Sequence, residues 1–93
     1  MSVMVRIPGP LRRITDGVDK VEVDAETLDG LITALENQYP GMKDRILDEN
    51  GELRYFVNLY LNNEDIRFLD GLGTSVKPGD EVSIVPAVAG GKR

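Results

Sequence analysis

The chain contains no cysteine and no histidine. Those two absences exclude disulfides, iron–sulfur ligation and Cys/His zinc sites within it. They also remove the thiol nucleophile and the commonest general base. Basic residues are in short supply, with 11 Lys plus Arg against 16 Asp plus Glu and a formal net charge of −5. Nucleic-acid binding needs a clustered basic footprint and is not expected on that balance. No apolar run approaches the roughly 20 residues of a membrane span. The start "MSVMVRIPGP" has no basic region followed by an apolar one, so no secretory signal is expected and the cytoplasm is the expected compartment. Only a carboxylate, Lys, Tyr, Ser or Thr, or a chain terminus, remains to carry chemistry. The acids Glu49, Glu52, Glu64, Asp65, Asp80 and Glu81 fall at expected turns and read as solvated loop charges, so no metal site is expected.

At 93 residues the chain is long enough for one domain with one modest core. "VMVRI" is a β-branched run closed by Pro8-Gly9-Pro10, and "KVEVD" alternates Val21 and Val23 with Glu22 and Asp24. The two runs are expected to form a hairpin with a long loop. Leu28, Leu31, Ile32, Leu35 and Tyr39 share one helical face, with Thr27 as N-cap and Pro40-Gly41 as the stop. Met42, Ile46 and Leu47 suggest one further helical turn. In "YFVNLYLNN", alternation sets Val57, Leu59 and Leu61 on one face and Phe56, Asn58 and Tyr60 on the other. Asn62 to Asp65 reads as a turn and Ile66-Arg67-Phe68 as a short returning strand. "LDGLGTSV" reads as irregular or short helical, and "KPGDE" as a type II turn with Gly79 third. "VSIVPAV" is the last strand, with Val82 and Ile84 inward. The order β-β-α-β-β-β implies an α+β mixed sheet over one main helix, the plan of the β-grasp fold.

The end, "VPAVAGGKR", is the other feature. Pro86 interrupts regular pairing, and Val88, Ala89, Gly90 and Gly91 make a thin arm that can enter a channel too narrow for side chains. Residues 1–85 are therefore read as the folded domain and 86–93 as a flexible tail. Three segments, "VNLYLNNED", "KPGDEVSIVP" and "AVAGG", resemble the MoaD/ThiS sulfur-carrier family of ubiquitin-like proteins, and most nearly its cysteine-synthesis type. The resemblance covers nearly the whole chain, with the loop from Pro8 to Asp19 least matched. It implies that the carboxylate of the second glycine, here Gly91, is adenylated by an ATP-dependent, ubiquitin-activating-like enzyme. Sulfur then replaces AMP, and the thiocarboxylate delivers sulfide to an acceptor such as a cysteine-synthase-like enzyme. On this view the chain is a co-substrate and not an enzyme, and it binds no cofactor itself. Val88 and Ala89 would be gripped by the partner, and Phe56 and Tyr60, on the outer sheet face, would form a docking patch.

Mature carriers of this kind end at the second glycine, whereas here Lys92-Arg93 follow and the Gly91 carboxyl is an amide. A precursor cut between Gly91 and Lys92 by a metallopeptidase explains this. An expression remnant, or a member that has lost sulfur carriage, explains it as well. Two other functions remain open at this level: a protein modifier joined through Gly91 to target lysines, and a β-grasp interaction module with no terminal chemistry.

Overall fold

The computed structural model describes residues 2–86. Strand β1 (Val3–Arg6) pairs antiparallel with β2 (Lys20–Val23), in register Val3 to Val23. Both strands alternate buried and open positions, so Val3, Val5, Val21 and Val23 turn to one side. Helix α1 (Leu28–Gln38) lies across that side and buries Leu28, Leu31, Ile32 and Leu35. Thr27 opens the helix, its hydroxyl accepting from the Gly30 N–H at 3.1 Å. This satisfies one of the donors that every helix start leaves unpaired.

Proline and a left-handed glycine turn the chain from α1 into α2 (Met42–Ile46). Gly41 has φ of 101°, a conformation a β-carbon would oppose. The Glu36 carboxylate closes this corner, accepting from Lys43 N–H at 2.8 Å and Gly41 N–H at 3.2 Å. Those N–H groups, Lys43 first and then Gly41, hold the Glu36 carboxyl below its ordinary range. The corner thereby fixes α2, whose Met42 and Ile46 complete one side of the core.

Strands β3 (Val57–Leu61), β4 (Glu64–Asp65) and β5 (Glu81–Pro86) finish the sheet, whose order is β2-β1-β5-β3-β4. β5 runs parallel to β1 and antiparallel to β3. The expected architecture is therefore observed: a ubiquitin-like β-grasp, with a mixed five-stranded sheet and one main helix.

Two local expectations need correcting. The fourth strand is Glu64–Asp65, and Ile66–Phe68 is a 3-10 turn. Asn62 and Asn63 both take positive φ, 52° and 74°, so the hairpin loop is only these two residues. Positive φ at both central positions suits the twist of paired strands, and Asn tolerates it well. Pairing thus resumes at once, at Glu64 opposite Leu61. The Asp65 carboxylate then accepts from the Arg67 N–H at 2.9 Å and starts the 3-10 turn. The second correction concerns Phe56, which precedes β3, is half-buried and packs against the core. The Val57 N–H bonds the Arg54 carbonyl at 2.9 Å, and this turn breaks the alternation.

Candidate functional site

The foot of the tail is β5, the middle strand of the sheet. Its start is held by a knot of hydrogen bonds joining two of the segments singled out in the sequence. The Asn62 amide donates to Asp80 Oδ1 at 3.1 Å, and Asn62 Oδ1 accepts from the Glu81 N–H at 3.0 Å. The Asn62 N–H also reaches the Glu81 carbonyl at 2.8 Å. Asp80 Oδ2 accepts from the Lys77 N–H at 2.9 Å, closing the "KPGD" turn, in which Gly79 has φ of 92°. The Asn62 side chain first, and then the Lys77 N–H, lower the Asp80 carboxyl from its ordinary range. The Asn turn and the Gly-Asp turn therefore act together to set where β5 begins. Two of the acids read as loop charges, Asp80 and Asp65, are occupied in shaping turns. A third, Glu81, pairs with Arg6 at 3.4 Å.

β5 presents Val82 and Ile84 to the core and Glu81, Ser83 and Val85 to the open face. Asn58 lies opposite Val85, and Tyr60 opposite Ser83. Tyr60 is half-buried on this outer face, as expected. Beside it Arg67 bonds Asn58 and pairs with Asp65 at 3.4 Å, and the Arg67 N–H is the main cause of a lowered Asp65 carboxyl. The large apolar side chains left open are Val18, Tyr55, Phe68 and Val85, Tyr55 being 88% and Phe68 82% exposed. None of these four was expected as a surface group. Strict alternation assigns Tyr55 the same face as Val57, and the turn at Arg54 is what frees it.

On the other side of the same strand end is a cleft of about 470 Å³. Ile84 and Pro86 of β5 line it together with Leu11, Phe56, Arg45 and Arg54. The Phe56 ring meets Tyr55 edge to face, with centroids 5.2 Å apart. Pro86 still belongs to β5, opposite Val57. The residues expected to carry the chemistry or grip the partner (Val88, Ala89, Gly90, Gly91 and Lys92) lie outside the described residues. No group of three acidic side chains among the described residues is arranged to hold a metal ion. No helix among them is long and apolar enough to cross a membrane.

The pattern of the ThiS family matches residues 5–91, from β1 through the Gly-Gly pair. The chain belongs to the ThiS family. This ThiS-family chain is 46% identical over 93 residues to the sulfur carrier protein CysO of Mycobacterium tuberculosis, covering 98% of this chain and all of that protein. A chain in the crystal structure of the BexX/CysO complex of Amycolatopsis orientalis superposes with a TM-score of 0.89 at 43% identity. That superposition covers 95% of this chain and 98% of the other. The small archaeal modifier protein 3 of Haloferax volcanii is 39% identical over 72 residues, 77% of this chain and 76% of that protein. The matched stretch, residues 5–91, spans nearly all of the β-grasp body, the Asn and Gly-Asp turns and the Gly-Gly segment.

Proposed function

We propose that this protein is a sulfur carrier whose working group is the carboxylate of Gly91, exposed when Lys92-Arg93 are removed. The observation that carries the reading is near-full-length similarity to a sulfur carrier protein, within a family match that extends to Gly91. A carboxylate oxygen of Gly91 attacks the α-phosphorus of ATP on an adenylating enzyme, and pyrophosphate leaves. A sulfur nucleophile then displaces AMP from the acyl carbon, and the thiocarboxylate gives its sulfide to an acceptor, for which we favour a cysteine-synthase-like enzyme. A metallopeptidase acting between Gly91 and Lys92 supplies the terminus, and the reactions take place in the cytoplasm. The chain itself binds no cofactor, because ATP belongs to its partner. Mass spectrometry of the protein from its native cells tests this. A species ending at Gly91, or one heavier by the exchange of oxygen for sulfur, is expected, and finding only the 93-residue chain would overturn the reading.

For partner docking we favour the outer face at Tyr60 and Val85, beside the strand that leads into the tail. Phe56, turned toward the core, stands outside this patch. Tyr60→Ala is expected to weaken binding to the adenylating enzyme by about tenfold, or about 1.4 kcal/mol, as loss of an aromatic anchor does. Titration calorimetry checks it, and an unchanged Kd moves the docking surface elsewhere.

A second reading is supported by the similarity to a small archaeal modifier protein. An activated Gly91 acyl group can also be taken by a lysine amine, giving an isopeptide bond. Lysine-linked adducts in extracts of cells making the Gly91-ending chain would favour conjugation, and a terminal thiocarboxylate would favour sulfur transfer.

A further inference from the structure

The cleft beside β5 is open on a small chain whose other apolar side chains are mostly buried, and one end of it is basic. Arg45 and Arg54 line it, and neither forms an ion pair among the described residues. Asp44 lies on the same rim, where its carbonyl takes the Arg54 Nε–H at 2.8 Å. One carboxylate against two guanidiniums leaves a net positive rim on a protein of net charge −5.

The last strand itself forms one wall. Ile84 and Pro86 occupy the same face of β5 and both line the cleft. If strand alternation were kept past Pro86, Val88 would be next in that row and Gly90, with no side chain, the one after. Gly91 is five residues beyond Pro86, a reach of at most roughly 18 Å when extended. Length, row and charge therefore select one occupant.

We propose that in the chain ending at Gly91 the segment 87–91 seats itself in this cleft, with Val88 against Leu11 and Phe56 and the Gly91 carboxylate at Arg45 and Arg54. The proposal rests on Gly91 being the mature end. Lys92-Arg93 reverse the fit, because with their two side-chain cations and the Arg93 carboxylate the tail end carries a net positive charge, where a chain ending at Gly91 carries a negative one. The uncut tail is refused and the cut tail is accepted, so processing also sets where the terminus rests. Such a contact between one small apolar group and a solvent-exposed ion pair is weak and reversible, which lets a partner withdraw the tail.

Nuclear magnetic resonance on four chains tests the idea: the full chain, the chain made to end at Gly91, and the latter carrying Val88→Asp or Arg45→Glu. Arg45 is exposed on α2, and residue 88 follows the last strand in sequence, so neither change removes core packing. The Gly91-ending chain is expected to show contacts between the Val88 methyls and the Phe56 ring, with shifted amides at Leu11, Arg45 and Arg54. Both substitutions should return the Leu11 and Arg54 amides to their positions in the full chain. If the Leu11 and Arg54 amides coincide in all four chains, or the Val88 contacts persist in the full chain, the proposal fails. Because each chain is made with its end already defined, failure here leaves the activation reading intact, which stands or falls on the masses found in native cells.

Discussion

A chain ending at Gly91, mixed with ATP and its adenylating enzyme, is expected to form an acyl adenylate, and the 93-residue chain none. The argument is chemical. In the full chain the Gly91 acyl carbon is an amide, which offers no anionic oxygen to attack phosphorus. The Arg93 carboxylate is no substitute, since it sits two residues further out behind two long cationic side chains. A channel shaped for an arm ending in two glycines excludes such bulk. Within the Gly91-ending chain, Gly90→Val is expected to slow adenylation by about 10²-fold, the scale on which a misplaced reacting group loses rate. The fold should be untouched, as residue 90 follows the last strand in sequence. Release of pyrophosphate measures both effects, and circular dichroism checks that the body is unchanged. Equal rates for the full and Gly91-ending chains would show that a free Gly91 carboxyl is not required for activation.

Leu35→Ala is the substitution expected to damage the fold most. Leu35 is fully buried on the α1 face turned to the core, in line with Leu28, Leu31 and Ile32. Removing its branched end forfeits the transfer free energy and leaves a cavity, a loss of about 2–5 kcal/mol. That is a large share of the roughly 5–15 kcal/mol that a domain has in total. For a chain of this size the midpoint should fall by on the order of 10–30 °C. Thermal unfolding followed by circular dichroism measures it. The control is Asn37→Ala, an exposed position of the same helix, expected to stay within about 0.5 kcal/mol. A fall of less than about 1 kcal/mol for Leu35→Ala would mean that the sheet does not grip the helix there.

Much of this body was legible in the residues. Val21 and Val23 alternate with charges, the α1 leucines recur at helical spacing, and Pro-Gly pairs mark three corners, so period and punctuation agree. Ile66-Arg67-Phe68 misled because its apolar ends suit a strand. What decided it was backbone: two asparagines at positive φ shortened the loop, and Asp65 captured the next N–H. Phe56 misled for a related reason. Alternation holds only where a strand has begun, and the hydrogen bond from Val57 to Arg54 sets that start. The knot of Asn62, Asp80 and Glu81 was beyond reach, since 18 residues separate the asparagine from Asp80 and no period links them. The cleft was equally hidden, because Leu11, Arg45, Phe56 and Pro86 come from four separate stretches of chain. The tail shows the opposite relation: its reading rests on the letters "AVAGG" alone, and its residues lie outside those described.

The position of β5 between β1 and β3 has a mechanical consequence. An arm drawn into another protein's channel transmits tension to the strand it is attached to. Were that strand at an edge, tension would peel it away one hydrogen bond at a time. β5 is bonded along both sides, parallel to one neighbour and antiparallel to the other, so a pull along its length loads the two ladders together in shear. Resistance to such a pull is governed by the rate of unfolding of the whole body and not by fraying of an edge. Under the proposed function the body would serve as an anchor for a rope, taking the load of a tail drawn into a partner without unravelling.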